Sequence, residues 1–174
     1  GEVPQQFLPA SGSGPPGADP PPCTFYILTD GYAGYNALAR EARVIGNAAC
    51  WAHVRRKFVE AAAGRNNTAA AHQMVALIRK LYQVERAVRE ETVEKRKAIR
   101  QAQAKPILEK IKDWLDEKAG KVLPKSPLGE AIAYTLGLWP KLQTYLEDGN
   151  IPIDNNKIEN AIRPFVIGRK NFLF

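Results

Sequence analysis

Two carboxylates stand out by the company they keep: Asp30 in Leu28-Thr-Asp-Gly-Tyr-Ala-Gly-Tyr-Asn36, and Glu159 in Ile153-Asp-Asn-Asn-Lys-Ile-Glu-Asn-Ala-Ile-Arg-Pro164. Carboxylates that hold divalent cations ~3.5 to 4 Å apart can activate a water or a hydroxyl and steady the leaving oxygen of a phosphodiester. Mg²⁺, or Mn²⁺ in its place, suits such a pair because it is hard, keeps most of its waters and needs few protein oxygens. Arg55, Arg56, Arg163, Arg169 and Lys170 are the cations that could neutralise phosphates flanking such a centre.

Each acid needs an element to hold it. Asp154 is a good N-cap and Pro164 cannot continue a helix, so the spacing predicts a short helix around Glu159. On it Asn155, Asn156, Glu159 and Arg163 fall on one polar face, and Ile158 and Ile162 on another. That face turns either to a ligand or to water; in water a Glu159–Arg163 pair contributes only ~0.3 to 0.5 kcal/mol. Asp30 follows Cys23-Thr-Phe-Tyr-Ile-Leu-Thr29, an aromatic and β-branched run that reads as a buried strand. The carboxyl end of such a strand is where ligands gather in α/β sheets, although an Asp ahead of Gly31 is also a common turn residue.

The remaining elements are expected in the following order. Residues 1–22 hold more than half of the thirteen prolines and read as a disordered linker or the start of a fragment. Residues 32–42 carry helical spacing and Arg43 to Cys50 a second strand, which suggests a parallel crossover. A helix then begins near Ala52. Its Arg55, Arg56 and Lys57 cover most of the circumference, so at least one should face the sheet edge or a ligand, with His53 at the same edge. Residues 67–100 read as one long amphipathic helix that Pro106 interrupts, and Ser126-Pro127 as the start of a later helix running toward Trp139, where Pro140 begins a separate turn or kinks it. The acids of this lobe, Glu85 among them, alternate with cations as a solvated face would. The expected organisation is α/β and predominantly helical: 23–64 as the first part of a core, 65–148 as an all-helical insertion, and 149–174 as the last helix and tail of the core.

Composition sets the class. The chain of 174 residues is 45% hydrophobic and 25% charged. No apolar run approaches the ~18 residues of a bilayer span, so no membrane is expected. The net charge of +7 favours polyanionic partners. Two cysteines make no disulfide framework, and a reducing cytoplasm is the expected setting. Cys23, Cys50, His53 and His72 could in principle form a four-ligand zinc site, but only Cys50-x-x-His53 is close in sequence and the usual paired spacing is absent.

Several blocks in one order carry a family likeness: Leu28 to Asn36, Cys50-Trp-Ala-His-Val-Arg-Arg-Lys-Phe58, Leu81-Tyr-Gln-Val-Glu85, Arg96 to Arg100 with Pro106, Pro124 to Gly129, and Asp154 to Pro164 with Gly168 to Phe174. From about residue 26 onward the chain resembles the IS66-family bacterial transposases. The resemblance implies a partial RNase H-like core with a helical insertion, a DDE triad with Mg²⁺ as cofactor, and cutting and joining of DNA at insertion-sequence ends. Asp30 looks like the second acid and Glu159 like the third, both as metal ligands. The Cys50-x-x-His53 pair is similar to a signature that puts the histidine near the cleaved DNA. The implied partners are insertion-sequence ends and target DNA, with further copies of the chain and accessory transposition proteins as candidates, in a bacterial cytoplasm at the nucleoid. The front departs from the family pattern, because residues 1–22 offer only Asp19 as a first aspartate, in Ala-Asp-Pro-Pro. The chain is therefore expected to be a fragment, with a weak metal site and no strand transfer on its own. The alternative is a non-catalytic helical module in which Arg55, Arg56 and Lys57 grip phosphates, or a partner, without a metal.

Overall fold

The structure, a computed structural model, describes residues 6–9, 25–29, 44–64 and 68–155. Asp30, Asn156, Glu159, Arg163, Arg169 and Lys170 lie outside the described residues, as do the helices expected at 32–42 and after Asn155.

Tyr26, Ile27 and Leu28 are apolar on both faces of one strand, and all three are buried in β2 (Phe25–Thr29). β3 (Val44–Ala49) pairs with it in parallel, so that Thr29 lies opposite Ala49 and the two strands end together. Parallel neighbours need a connection of about a dozen residues or more, which 30–43 supplies. The proline-rich front yields one element that the linker reading did not include. β1 (Gln6–Pro9) pairs antiparallel with β2, and the three-stranded sheet has the order β1-β2-β3. The free edge of β2 would otherwise leave a row of unpaired N–H and C=O groups, and an extended segment satisfies them. Pro9 is compatible with that place because β1 is an edge strand.

The other regular elements described are helical. In α1 (Trp51–Ala62) the residues Trp51, Val54, Phe58 and Ala61 recur at helical spacing and are buried. In α2 (Thr68–Ala87) Met74, Ile78, Leu81 and Val84 form the matching stripe. These stripes meet Leu108, Ile111 and Leu115 of α4 (Lys105–Ala119) and Leu128, Ala131 and Ile132 of α5 (Pro127–Gly137) in one core. Ser126 caps α5 by accepting from the Gly129 amide at 3.1 Å, and Pro140 falls in the first turn of α6 (Trp139–Gln143), as expected from the sequence.

Two expectations for the helical lobe are corrected. The stretch 67–100 is not one helix: α2 ends at Ala87, and Thr92 caps a new helix, α3 (Val93–Ile99), by accepting from the Lys95 amide. Pro106 does not interrupt. A π-turn at Arg100–Ala104 joins α3 to α4 directly ahead of it. The wider turn shifts the hydrogen-bond ladder, which accommodates a residue with no N–H to give.

The lobe also steers the chain back to the sheet. Arg100 is 1% exposed and its guanidinium forks onto Glu85, with N–O distances of 2.8 and 2.7 Å. Its remaining nitrogen donates to the carbonyl oxygens of Tyr145 and Asp148. Glu85 is therefore half of a buried ion pair and not part of a solvated face. Arg96 donates to the carbonyls of Val88, Arg89, Glu91 and Gly149. Together the two arginines fasten the turn 145–149, from which the chain runs to Ile153, Asp154 and Asn155.

A candidate active-site edge and a basic groove

α1 begins directly after β3, so its first amides point away from the helix with no partner in their own ladder. The Trp51 amide donates to the carbonyl of Ile153 at 3.1 Å, and the Cys50 thiol donates to Oδ1 of Asn155 at 2.9 Å. From the side of α2 the Tyr82 hydroxyl donates to Oδ2 of Asp154 at 2.8 Å. Three consecutive residues are thus held from three directions. Below them Trp51 donates its indole N–H to the Leu142 carbonyl and sits edge-on to Trp139. Ile151 and Ile153 are buried in the same place.

This anchoring defines an edge. Thr29, the residue before Asp30, lies opposite Ala49, the residue before Cys50, and Cys50 in turn holds the chain four residues ahead of Glu159. The backbone leading to each candidate carboxylate therefore reaches the same end of the sheet. Burial pushes the Cys50 thiol above its ordinary value, against the pull of the amides of Ala52 and His53. Burial and the Asp154 carboxylate raise the Tyr82 hydroxyl far above its own ordinary value, against the nearby Arg55. Both groups stay protonated at neutral pH and act as hydrogen-bond donors.

Beside this edge α1 and α2 form a groove of about 580 Å³. α1 contributes Ala52, Arg55, Arg56 and Val59; α2 contributes Arg79, Tyr82 and Arg86. Arg55 and Arg56 are exposed, whereas Lys57, the third cation of the run, lies over the Tyr134 ring at 4.7 Å. Of the three, Lys57 turns not to the sheet edge or a ligand but to an aromatic face of α5, whereas Arg55 and Arg56 line the groove. His53 is partly buried on the first turn of α1. Asn155, expected on an outward polar face, is only 6% exposed with its amide oxygen engaged by Cys50. Arg79, Tyr82 and Arg86 were not anticipated as site residues. Their i, i+3, i+7 spacing is visible in the sequence, but Tyr82 falls beside the buried stripe and reads there as core.

The described residues contain no group of three or more His, Cys, Asp or Glu side chains placed to hold a metal ion, which includes Cys50, His53 and His72. No described helix is long and apolar enough to cross a membrane.

A helical lobe is thus set on a small sheet, and the segment Ile153 to Asn155 is returned to the strand ends. A profile described as the Transposase IS66 family matches residues 2–174, and the chain belongs to that family. Among curated proteins it is similar to three uncharacterized proteins of Sinorhizobium fredii (strain NBRC 101917 / NGR234). It is 37% identical to y4qI over 154 residues, which is 85% of this chain and 28% of that protein. It is 33% identical to y4jD over 153 residues, 85% of this chain and 30% of that protein, and 30% identical to y4hP over 162 residues. The chain thus spans about 30% of the length of these relatives. No solved structure matches it.

Proposed function

We propose that the chain is part of a DDE-type catalytic domain, built on an RNase H-like core, whose intact form cleaves and joins DNA at insertion-sequence ends with a divalent metal. The observation that carries this reading is the shared edge. Thr29 and Ala49 end their strands in register, and the next residue, Cys50, holds Asn155. Asp30 and Glu159 are the next carboxylates along the two converging stretches of chain. Mg²⁺ or Mn²⁺ would be held by these two residues, and a two-carboxylate, all-oxygen donor set suits a hard cation that retains its waters. When bound, the metal supplies activation of a water or hydroxyl and neutralises charge on the leaving oxygen.

The protein's own groups position the rest. Arg55 and Arg56, with His53 beside them, receive phosphates at the opening of α1, and Arg163, Arg169, Lys170 and Asn156 do so from the tail. Asn155 is a positioning residue: it fastens the segment that carries Glu159. Cleavage and strand transfer themselves are proposed for the longer proteins of which this chain matches a part.

Metal-directed cutting of the backbone tests the reading. Fe²⁺ replaces Mg²⁺ at carboxylate sites and, with ascorbate and peroxide, cuts the chain next to its ligands. Cuts are expected near both Asp30 and Glu159, competed by Mg²⁺ and absent from Glu159→Gln. Cutting near one acid only, or near neither, would refute the shared site and favour the metal-free nucleic-acid-binding module.

A further inference from the structure

The groove between α1 and α2 holds four arginines and no acid among its lining residues, and half of those arginines come from the helical lobe. Several other cations of the lobe are already neutralised. Arg89 pairs with Glu90, Lys95 with Glu91, Lys112 with Asp116, and Lys118 and Lys121 with Glu117. Arg100 is taken by Glu85, and Arg96 by four carbonyl oxygens. Among the described residues, the guanidinium groups of Arg55, Arg56, Arg79 and Arg86 have neither an ion-pair nor a hydrogen-bond partner. Four like charges converging on one concave surface repel one another, and an anionic ligand relieves that repulsion.

We infer that this groove is a seat for a nucleic-acid phosphodiester backbone, with Arg79 and Arg86 of α2 forming the wall opposite Arg55 and Arg56. The inference rests on the proposed action on DNA and adds to it a binding surface shared between the core helix and the lobe. Arg79 and Arg86 are seven residues apart on one helix face, about 10.5 Å along the axis. At about 3.4 Å of axial rise per phosphate on one strand of a duplex, that length corresponds to about three phosphate steps along the duplex axis. Guanidinium groups suit this ligand because their planar forks bind phosphate oxygens in pairs. Tyr82 on the floor donates to Asp154, so a strand in the groove lies alongside the segment that leads to Glu159.

The test measures binding in EDTA, so that no metal contributes. Fluorescence anisotropy of a labelled single-stranded oligonucleotide and of its duplex is followed over a salt series. The wild type is compared with Arg79→Ala/Arg86→Ala, with the charge-conserving Arg79→Lys/Arg86→Lys, and with a control of equal charge loss, Lys110→Ala/Lys125→Ala, on exposed positions away from the groove. The groove alanine pair is expected to lose about tenfold or more in affinity. The slope of log affinity against log salt should become shallower by about 0.9 per lost contact on duplex, or about 0.7 on single strand. The lysine pair should fall between, and the control should stay near wild type. The larger loss on one of the two nucleic acids identifies which form occupies the groove. Equal losses in the groove and control pairs, or no loss in the groove pair with its helical circular dichroism unchanged, would overturn the inference. Its failure is separable from that of the catalytic reading: Fe²⁺ cutting near both acids with an unaffected groove variant removes only the groove, and the converse removes only the metal site.

Discussion

The thiol of Cys50 donates to the amide oxygen of Asn155 across 2.9 Å, joining positions 105 residues apart. One residue on each side of this contact belongs to the main structure of the edge: Ala49 closes β3 and Trp51 opens α1. The bond therefore sets where the tail of the chain departs from the sheet, and its removal affects both stability and placement.

Truncating Asn155 to alanine leaves a buried thiol without its acceptor. Asn155→Ala is expected to cost about 1 to 2 kcal/mol, read as a lower urea midpoint at unchanged slope. It should also speed alkylation of Cys50 by iodoacetamide. A variant as stable as wild type with an equally slow thiol would show that the contact positions nothing.

The pH dependence follows from the same edge. Cys50 and Tyr82 both have folded-state pKa values raised by burial, so the folded protein holds these protons more tightly than the unfolded chain. Such groups contribute stability that is complete below the unfolded pKa and is lost as pH rises through the folded one. Stability should therefore be flat through neutral pH with respect to these two groups. It should decline above the ordinary thiol value of 9.0, and further above the ordinary phenol value of 10.0. Urea midpoints measured across the alkaline range check this; Tyr82→Phe/Cys50→Ala should lessen the decline and leave the share of Tyr26 and Tyr145, whose hydroxyls burial also raises.

Arg100 and Glu85 form the buried pair of the lobe, with side chains 2% and 14% exposed. Arg100→Met alone strands the Glu85 carboxylate and is expected to cost about 3 to 5 kcal/mol. Arg100→Met/Glu85→Leu removes both charges and should be the milder change despite altering two residues. A double variant no more stable than the single one would place the cost in the lost contacts to Tyr145 and Asp148 instead.

Gly149 is confined by the neighbouring helix. A Cβ built there would lie 2.1 Å from the Val93 carbonyl oxygen, and a backbone atom cannot swing away as a side chain would. Gly149→Ala is expected to destabilise by about 1 to 3 kcal/mol and to loosen the turn that Arg96 holds through the Gly149 carbonyl. Faster hydrogen exchange at the amides of 150–155 would report that loosening; unchanged exchange with an unchanged melting point would count against it.

Local signals were sufficient for β2, β3, α1 and the start of α5, but not for β1 in the proline-rich front. The run through Tyr26, Ile27 and Leu28 marks a strand buried on both sides, and the spacing of Trp51, Val54, Phe58 and Ala61 marks a helix with one covered face. Ser126-Pro127 marks a helix start because capping is a property of adjacent residues. The break at 88–92 was less visible. Apolar periodicity continues across it through Val88, and only Thr92, capping the next turn, gives it away.

By sequence alone the chain determined its residue types: two acids in distinctive settings, a run of cations at the head of α1, and the ordered blocks of its family. Tertiary structure decided which of those residues meet. Long-range pairing turned Asn155 from an outward polar residue into an internal anchor, and Glu85 from surface charge into the partner of a buried arginine. It also brought Arg79 and Arg86 opposite Arg55 and Arg56. Periodicity reports which face of a helix is covered; only the packing of two helices reports what stands across from the face left open.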